Sequence, residues 1–249
     1  MTPCDPIIRL EDVYTAYEGA ARPTLSGITL EVRRGEYVII GGPNGAGKTT
    51  LLETINGMLP VTHGHATVCG YHIGRDGVHV RCRVGYLIQN FAFDPLTPFT
   101  VEEVVLMGRF GRLGLFRKPG PEDREAARSA IALLKIEDLA TRPIGQLSGG
   151  QQQKVLLAQN LARNPEILLL DEPFSNLDFL ARDEINALLS GLVEKGITVI
   201  IVSHAFDDLP DRTIRVVVMR EGRICRDSTC DPREVESVVR AAGGIPVHA

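Results

Sequence analysis

Tyr37-Val38-Ile39-Ile40-Gly41-Gly42-Pro43-Asn44-Gly45-Ala46-Gly47-Lys48-Thr49-Thr50 is the stretch that decides the fold. A four-residue apolar run enters a glycine-rich turn, and a helical run from Thr49 to Met58 leaves it. Gly42 to Thr49 matches G-x-x-x-x-G-K-[ST], and strand before, helix after is the context that pattern requires. The glycines let backbone N–H groups turn inward onto phosphate oxygens, and the helix N-terminus adds positive potential. Gly42, Pro43, Asn44, Gly45, Ala46 and Gly47 are therefore the expected cradle. Lys48 is placed to reach the β- and γ-phosphates, Thr49 offers a hydroxyl to Mg²⁺, and Thr50 is grouped with them as nucleotide-binding.

Working outward, two further apolar runs end in polar residues. Ile167-Leu168-Leu169-Leu170 ends in Asp171-Glu172, and Thr198-Val199-Ile200-Ile201-Val202 ends in Ser203-His204. Runs apolar on both faces are what parallel strands buried between helices look like. Their polar ends fall at the carboxyl edge, where open α/β sheets hold ligands. On the first, Asp171 is expected to hold Mg²⁺ through water, leaving Glu172 to orient and polarise an attacking water. Taken alone, an acid closing a strand more simply caps the next helix; the phosphate loop upstream tips the reading.

The flanks differ from this core. Ile7 to Tyr17 and Thr29 to Val32 read as strands of a small antiparallel sheet, and Val216 to Met219 and Arg223 to Cys225 flank a hairpin turn. Between roughly residues 91 and 165 the pattern is helical. Gly120-Pro121-Glu122-Asp123 is a helix start, with Ala127, Ala130, Ile131 and Leu134 forming one apolar stripe. A second helix is expected from about Gly150 to Arg163, stopping before Asn164-Pro165. The expected architecture is one α/β unit over residues 1–249, with a mostly parallel P-loop NTPase (RecA-like) sheet, an N-terminal antiparallel β subdomain and an inserted helical subdomain.

Composition bounds the remainder. The chain has 249 residues, 44% apolar and 23% charged, with 27 Lys+Arg against 31 Asp+Glu and a net charge of −4. That is ordinary globular composition. Slight acidity speaks against a sequence-independent nucleic-acid binder. No apolar run approaches the ~20 residues of a membrane span. The first residues lack the basic-then-apolar pattern of a signal peptide. Five cysteines, an odd number without a CxxC pair, fit free thiols better than a disulfide framework. His63, His65, Cys69, His72, His79 and Cys82 are metal-ligand types, but they scatter over an expected hairpin without zinc-site spacing.

Leu147-Ser148-Gly149-Gly150-Gln151 is a second helix start suited to an anion. One nucleotide does not need two such starts. The economical solution is a two-fold dimer, each nucleotide held between the phosphate loop of one chain and the Ser148 segment of the other.

With LSGGQ, a phosphate loop and an apolar-Asp-Glu strand in this order, the chain resembles the ATP-binding cassette (ABC) ATPases over essentially its whole length. The resemblance implies ATP and Mg²⁺ as cofactors and assigns further residues. Tyr17 matches the aromatic that stacks on adenine. Gln89, closing Val84-Gly85-Tyr86-Leu87-Ile88, matches the glutamine that touches Mg²⁺ and the attacking water. Ser175-Asn176-Leu177-Asp178 resembles the loop that crosses the dimer interface, and His204 the histidine that senses the γ-phosphate. The catalytic set so implied is Glu172, His204 and Gln89, and the metal set is Thr49, Gln89 and Asp171. Ser148, Gly149, Gly150, Gln151 and Asp178 serve the opposite chain's nucleotide. Three positions depart from the family pattern without removing a reacting group: Ile88 stands where proline is common, Ala205 where an acid is, and Asn176 where alanine is.

The segment from Thr100 to Arg109, followed by Gly114-Leu115-Phe116, and Asp171-Glu172-Pro173-Phe174-Ser175 resemble the group that imports transition metals (manganese, zinc, iron), iron chelates or cobalamin. The resemblance thus implies a homodimer or pseudo-symmetric dimer and integral-membrane permease subunits. It also implies an extracytoplasmic solute-binding protein, no nucleic acid, and a peripheral place on the cytoplasmic face of the membrane. An exporter ATPase, or a soluble ATPase of cofactor or Fe–S assembly, shares the catalytic motifs and stays open.

Overall fold

A computed structural model describes residues 5–89, 93–114, 117–175, 177–203, 206, 209–210 and 212–243. In chain order the elements are β1 (Ile8–Thr15), β2 (Leu25–Val32), β3 (Tyr37–Gly41), α1 (Lys48–Ile55), β4 (Val61–Val68), β5 (Tyr71–His72), α2 (Ile73–Arg83) and β6 (Val84–Leu87). Then come α3 (Val101–Met107), α4 (Phe110–Leu113), α5 (Pro121–Leu133), α6 (Gly149–Ala162), β7 (Ile167–Asp171), α7 (Phe179–Glu194), β8 (Thr198–Val202), β9 (Ile214–Arg220), β10 (Arg223–Cys230) and α8 (Val235–Gly243).

Six strands form the central sheet in the order β10-β9-β3-β8-β7-β6. All neighbours pair in parallel except the β9–β10 hairpin. The alternation along each strand explains the unbroken apolar runs. In β3, Tyr37 and Ile39 join one core cluster while Val38 and Ile40 join the other. In β7 the split is Leu168 and Leu170 against Ile167 and Leu169. Both faces are dry, so polar alternation has no place there. One face is covered by α3, α5, α6, α7 and α8, and the other by α1 and the four-stranded antiparallel sheet, ordered β2-β1-β4-β5.

Register brings the chemistry to one edge. Ile40 pairs with Val202, Val202 with Asp171, and Leu170 with Leu87. Just beyond those pairs, Gly42, Glu172 and Gln89 leave the same carboxyl edge of the sheet, from β3, β7 and β6.

The helical segment is held by local signals. Thr100 caps α3 with a reciprocal Thr100–Glu103 box. Pro121 opens α5, where the Asp123 carboxylate accepts from Gly120 N–H at 2.9 Å. The other Asp123 oxygen accepts from Arg109 Nε at 2.8 Å, and Arg109 Nη1 donates to the Ala162 carbonyl at the end of α6.

The structure differs from the sequence expectation in several places. β1 ends at Thr15, so Tyr17 lies beyond it. The register of β1 slips twice, between Leu10 and Thr15, around a positive φ at Asp12 (49°). β2 begins at Leu25, four residues before the expected Thr29. The expected hairpin around residues 63–82 is a hairpin followed by α2, a kinked helix with two of its residues, Ile73 and Val80, buried. α7 and α8 add to the expected elements, and Ile185, Leu189, Leu192 and Val193 give α7 an apolar face.

Candidate active site

The loop between β3 and α1 is shaped by backbone that only glycine tolerates easily. Gly42 has φ 135°, and a Cβ there would lie 2.1 Å from the Met219 carbonyl oxygen. Gly47, with φ 97°, is the N-cap of α1 and contributes no capping side chain. The first N–H groups of α1 are consequently left for a ligand. Lys48 is buried and spans its own loop, donating to the carbonyls of Gly42 and Pro43, both at 2.9 Å. Burial pushes its ammonium pKa down, while the nearby Glu172 and Asp171 carboxylates oppose that shift.

Asn44, Gly45, Gly47, Lys48, Thr49 and Thr50 line a cleft of about 510 Å³ together with Gln89, Asp171 and Glu172. Thr24 and Val202 complete its wall. Thr49 Oγ1 donates to Asp171 Oδ2 at 2.7 Å. A hydroxyl and a carboxylate at contact distance, with an amide oxygen in the same cleft, form a hard-oxygen donor set of the kind Mg²⁺ takes. The residues therefore fit the ion. Glu172 holds φ 51°, with its N–H donated to Val202 O at 2.9 Å. A non-glycine residue in the left-handed region is costly backbone, and such positions cluster at functional sites.

The Ser148 segment sits elsewhere. Ser148 caps α6, accepting from Gln151 N–H at 3.3 Å, and Gln151 Oε1 accepts from Ser148 N–H at 3.0 Å. Ser148, Gly149, Gly150 and Gln151 line a second cleft of about 800 Å³, with Asp178 and Leu177 on its rim. Asp178 caps α7 by accepting from Ala181 N–H at 2.8 Å. The two clefts share no lining residue.

Tyr17 does not line the first cleft. Its hydroxyl donates to Glu53 Oε2 at 2.5 Å and lies 3.3 Å from Thr50 Oγ1. His204, Asn176 and Ala205 lie outside the described residues. Sequence reasoning passed over Gln153, whose amide donates to the Pro173 carbonyl beside Glu172. It also passed over Glu53, one turn beyond Thr50, a spacing that was available as a signal. Among the described residues no group of three or more His, Cys, Asp or Glu side chains is arranged to hold a metal ion. His65 pairs edge-on with His72, Tyr71 stacks on His79, and the His72 ring accepts from Gly74 N–H to cap α2.

The ABC transporter family matches residues 25–175. The manganese transport system ATP-binding protein of Bacillus subtilis (strain 168) is 38% identical over 237 residues, which cover 95% of this chain and 92% of the relative. The zinc transport system ATP-binding protein of Treponema pallidum (strain Nichols) is 35% identical, over 95% of this chain and 87% of the relative. Among solved structures, a dimeric post-hydrolysis ATP-binding cassette bound to ADP and Pi superposes with a TM-score of 0.76 at 30% identity, covering 89% of this chain and 97% of that one. The chain belongs to the ABC transporter family, as an ATP-hydrolysing, ATP-binding subunit.

Proposed function

We propose that this chain powers an importer of a transition-metal cation, manganese or zinc, working as a dimer with two composite ATP sites on the cytoplasmic face of a membrane permease. The observation that carries the mechanism is the pair of separate clefts, one at the Lys48 loop and one at Ser148, in a single chain. A two-fold partner sets each Ser148 cleft against the opposite Lys48 cleft, so that one nucleotide meets both. The metal assignment is supported by the relatives named for manganese and zinc transport. No helix among the described residues is long and apolar enough to cross a membrane, so the pathway is supplied by other subunits. An extracytoplasmic solute-binding protein delivers the cation.

In this mechanism the loop from Gly42 to Gly47 and the first turn of α1 bind the phosphates, and Lys48 leaves its two carbonyl partners for the β- and γ-phosphates. Thr49, Asp171 and Gln89 hold Mg²⁺, which when bound neutralises charge on the phosphate oxygens. Glu172 accepts a proton from the attacking water, positioned by its short turn against Val202. Ser148 and Gly150 of the partner subunit contribute a hydroxyl and backbone N–H to the γ-phosphate. Tyr17 stacks on adenine, Asp178 lies at the dimer interface, and His204 contacts the γ-phosphate. Phosphoryl transfer of this type is mostly positioning and electrostatic stabilisation.

The test is co-expression with a polytopic permease, reconstitution in vesicles with the binding protein, and measurement of ATP-driven uptake of Mn²⁺ and Zn²⁺. Uptake of either, lost in the Glu172→Gln variant, is expected. Outward transport, or stimulation by organic solutes alone, would overturn the metal-import reading.

A further inference from the structure

α1 turns three polar side chains toward the end of β1, at positions 50, 53 and 54, a spacing that places them on one helical face. Thr54 Oγ1 is 3.3 Å from Thr15 Oγ1 in a buried contact, which ties the helix to the last residue of the strand. Two residues further on, the chain bends, with Ala20 N–H donating to Tyr17 O at 3.0 Å. Tyr17 leaves that bend with its hydroxyl on Glu53 at 2.5 Å and beside Thr50 Oγ1. Yet the residue remains 42% exposed. The tip is pinned and the body is bare.

Tyrosine has two side-chain torsions before its hydroxyl, so fixing Cα and Oη leaves the ring plane little freedom. A phenol donating to a carboxylate is a charge-assisted bond, short and strong for its kind. Burial, and then Glu53, push the phenol pKa up, so the hydroxyl keeps the proton it donates. Glu53 also sits one turn beyond Thr50, which lines the phosphate cleft. The same helix therefore positions both the phosphate loop and the aromatic ring.

We propose that Glu53 is a positioning residue for the nucleotide base: by holding the Tyr17 hydroxyl against α1, it presets the ring plane on which adenine stacks. The proposal rests on the reading of Tyr17 as the adenine platform. Without the carboxylate the ring must be ordered at the moment of binding, and that ordering weakens affinity.

The experiment compares ATP with inorganic tripolyphosphate, both with Mg²⁺, in equilibrium binding to the full-length chain. Tripolyphosphate has the phosphates without the base, so the ratio of the two affinities isolates the platform. Glu53→Ala is expected to lower the ATP-over-tripolyphosphate ratio about two- to tenfold, the range for losing the preorganisation of one side chain. Tyr17→Phe is expected to do the same, and the double variant to be no worse than either single one. Glu53→Gln keeps an amide oxygen to accept from the phenol and should hold most of the wild-type ratio. Equal weakening of both ligands in Glu53→Ala, or additive losses in the double variant, would overturn the proposal. If Tyr17→Ala leaves the ratio unchanged, the adenine-platform reading itself falls and the proposal with it. A ratio that drops in Tyr17→Ala and stays fixed in Glu53→Ala overturns the proposal alone.

Discussion

The molecule has two glycine-rich helix starts, and they are built in opposite ways. At α1 the cap is Gly47, in the left-handed region, with no side-chain hydrogen bond to the helix. At α6 the cap is Ser148, and its hydroxyl and the Gln151 amide satisfy two backbone N–H groups between them. Every helix leaves its first N–H groups without an internal partner. α1 keeps them for a ligand, and a buried lysine lies across the loop that frames them. α6 uses its own box to stay rigid, and presents a formed surface to whatever approaches from outside. One start leaves its donors open, whereas the other closes them with its own side chains, the division of labour that the proposed composite site requires.

The sharpest break of this contrast concerns chemistry. Glu172→Gln removes the proposed proton acceptor but none of the groups at either helix start. Steady-state hydrolysis should fall about 10²- to 10⁴-fold, the usual contribution of a general base. ATP binding should persist, and size-exclusion chromatography in ATP should show accumulated dimer. Hydrolysis at the wild-type rate would remove Glu172 from its role.

Binding is the next test. Lys48→Ala should weaken ATP binding to the isolated monomer about 10- to 100-fold, the value of a hydrogen bond to a charged group. Ser148→Arg should leave monomer affinity unchanged and abolish hydrolysis if, as proposed, its cleft serves the other chain. Mixing the two variants should restore one working site per heterodimer. Equal loss of monomer affinity in both would erase the distinction between the two starts.

The smallest effect concerns stability. Ser148→Ala breaks the box on α6 and should cost about 0.5–2 kcal/mol in denaturant unfolding without nucleotide. At α1 no side chain caps the helix, so the corresponding loss does not arise there. A Ser148→Ala chain of unchanged stability would mean that Ser148 is not what holds its helix.

Much of this is legible because glycine, lysine and acid positions carry their reasons locally. The run Tyr37 to Ile40 entering Gly42 to Thr49 names both strand and phosphate loop. Asp171 and Glu172 are readable because a strand buried on both faces has room for charge only at its end, on the edge where such sheets hold ligands. α2 escapes because Gly74 and Gly77 weaken helical preference and two buried residues make a thin periodicity. α8 escapes for its brevity, although Val235, Val238 and Val239 carry an i, i+3, i+4 stripe. The end of β1 is overrun because the bulge at Asp12 breaks a register that alternation alone does not report.

By itself the sequence determined the parallel core, the phosphate loop, the acid pair and the second helix start, since each is encoded in neighbouring residues. Tertiary structure alone decided which of them meet. Parallel register sets Gly42, Glu172 and Gln89 along one sheet edge, while the fold carries Ser148 and Asp178 to a separate cleft. It also swings Tyr17 onto Glu53, 36 residues away in the chain. Contacts across such separations follow from strand pairing and helix packing, and no local pattern spells them out.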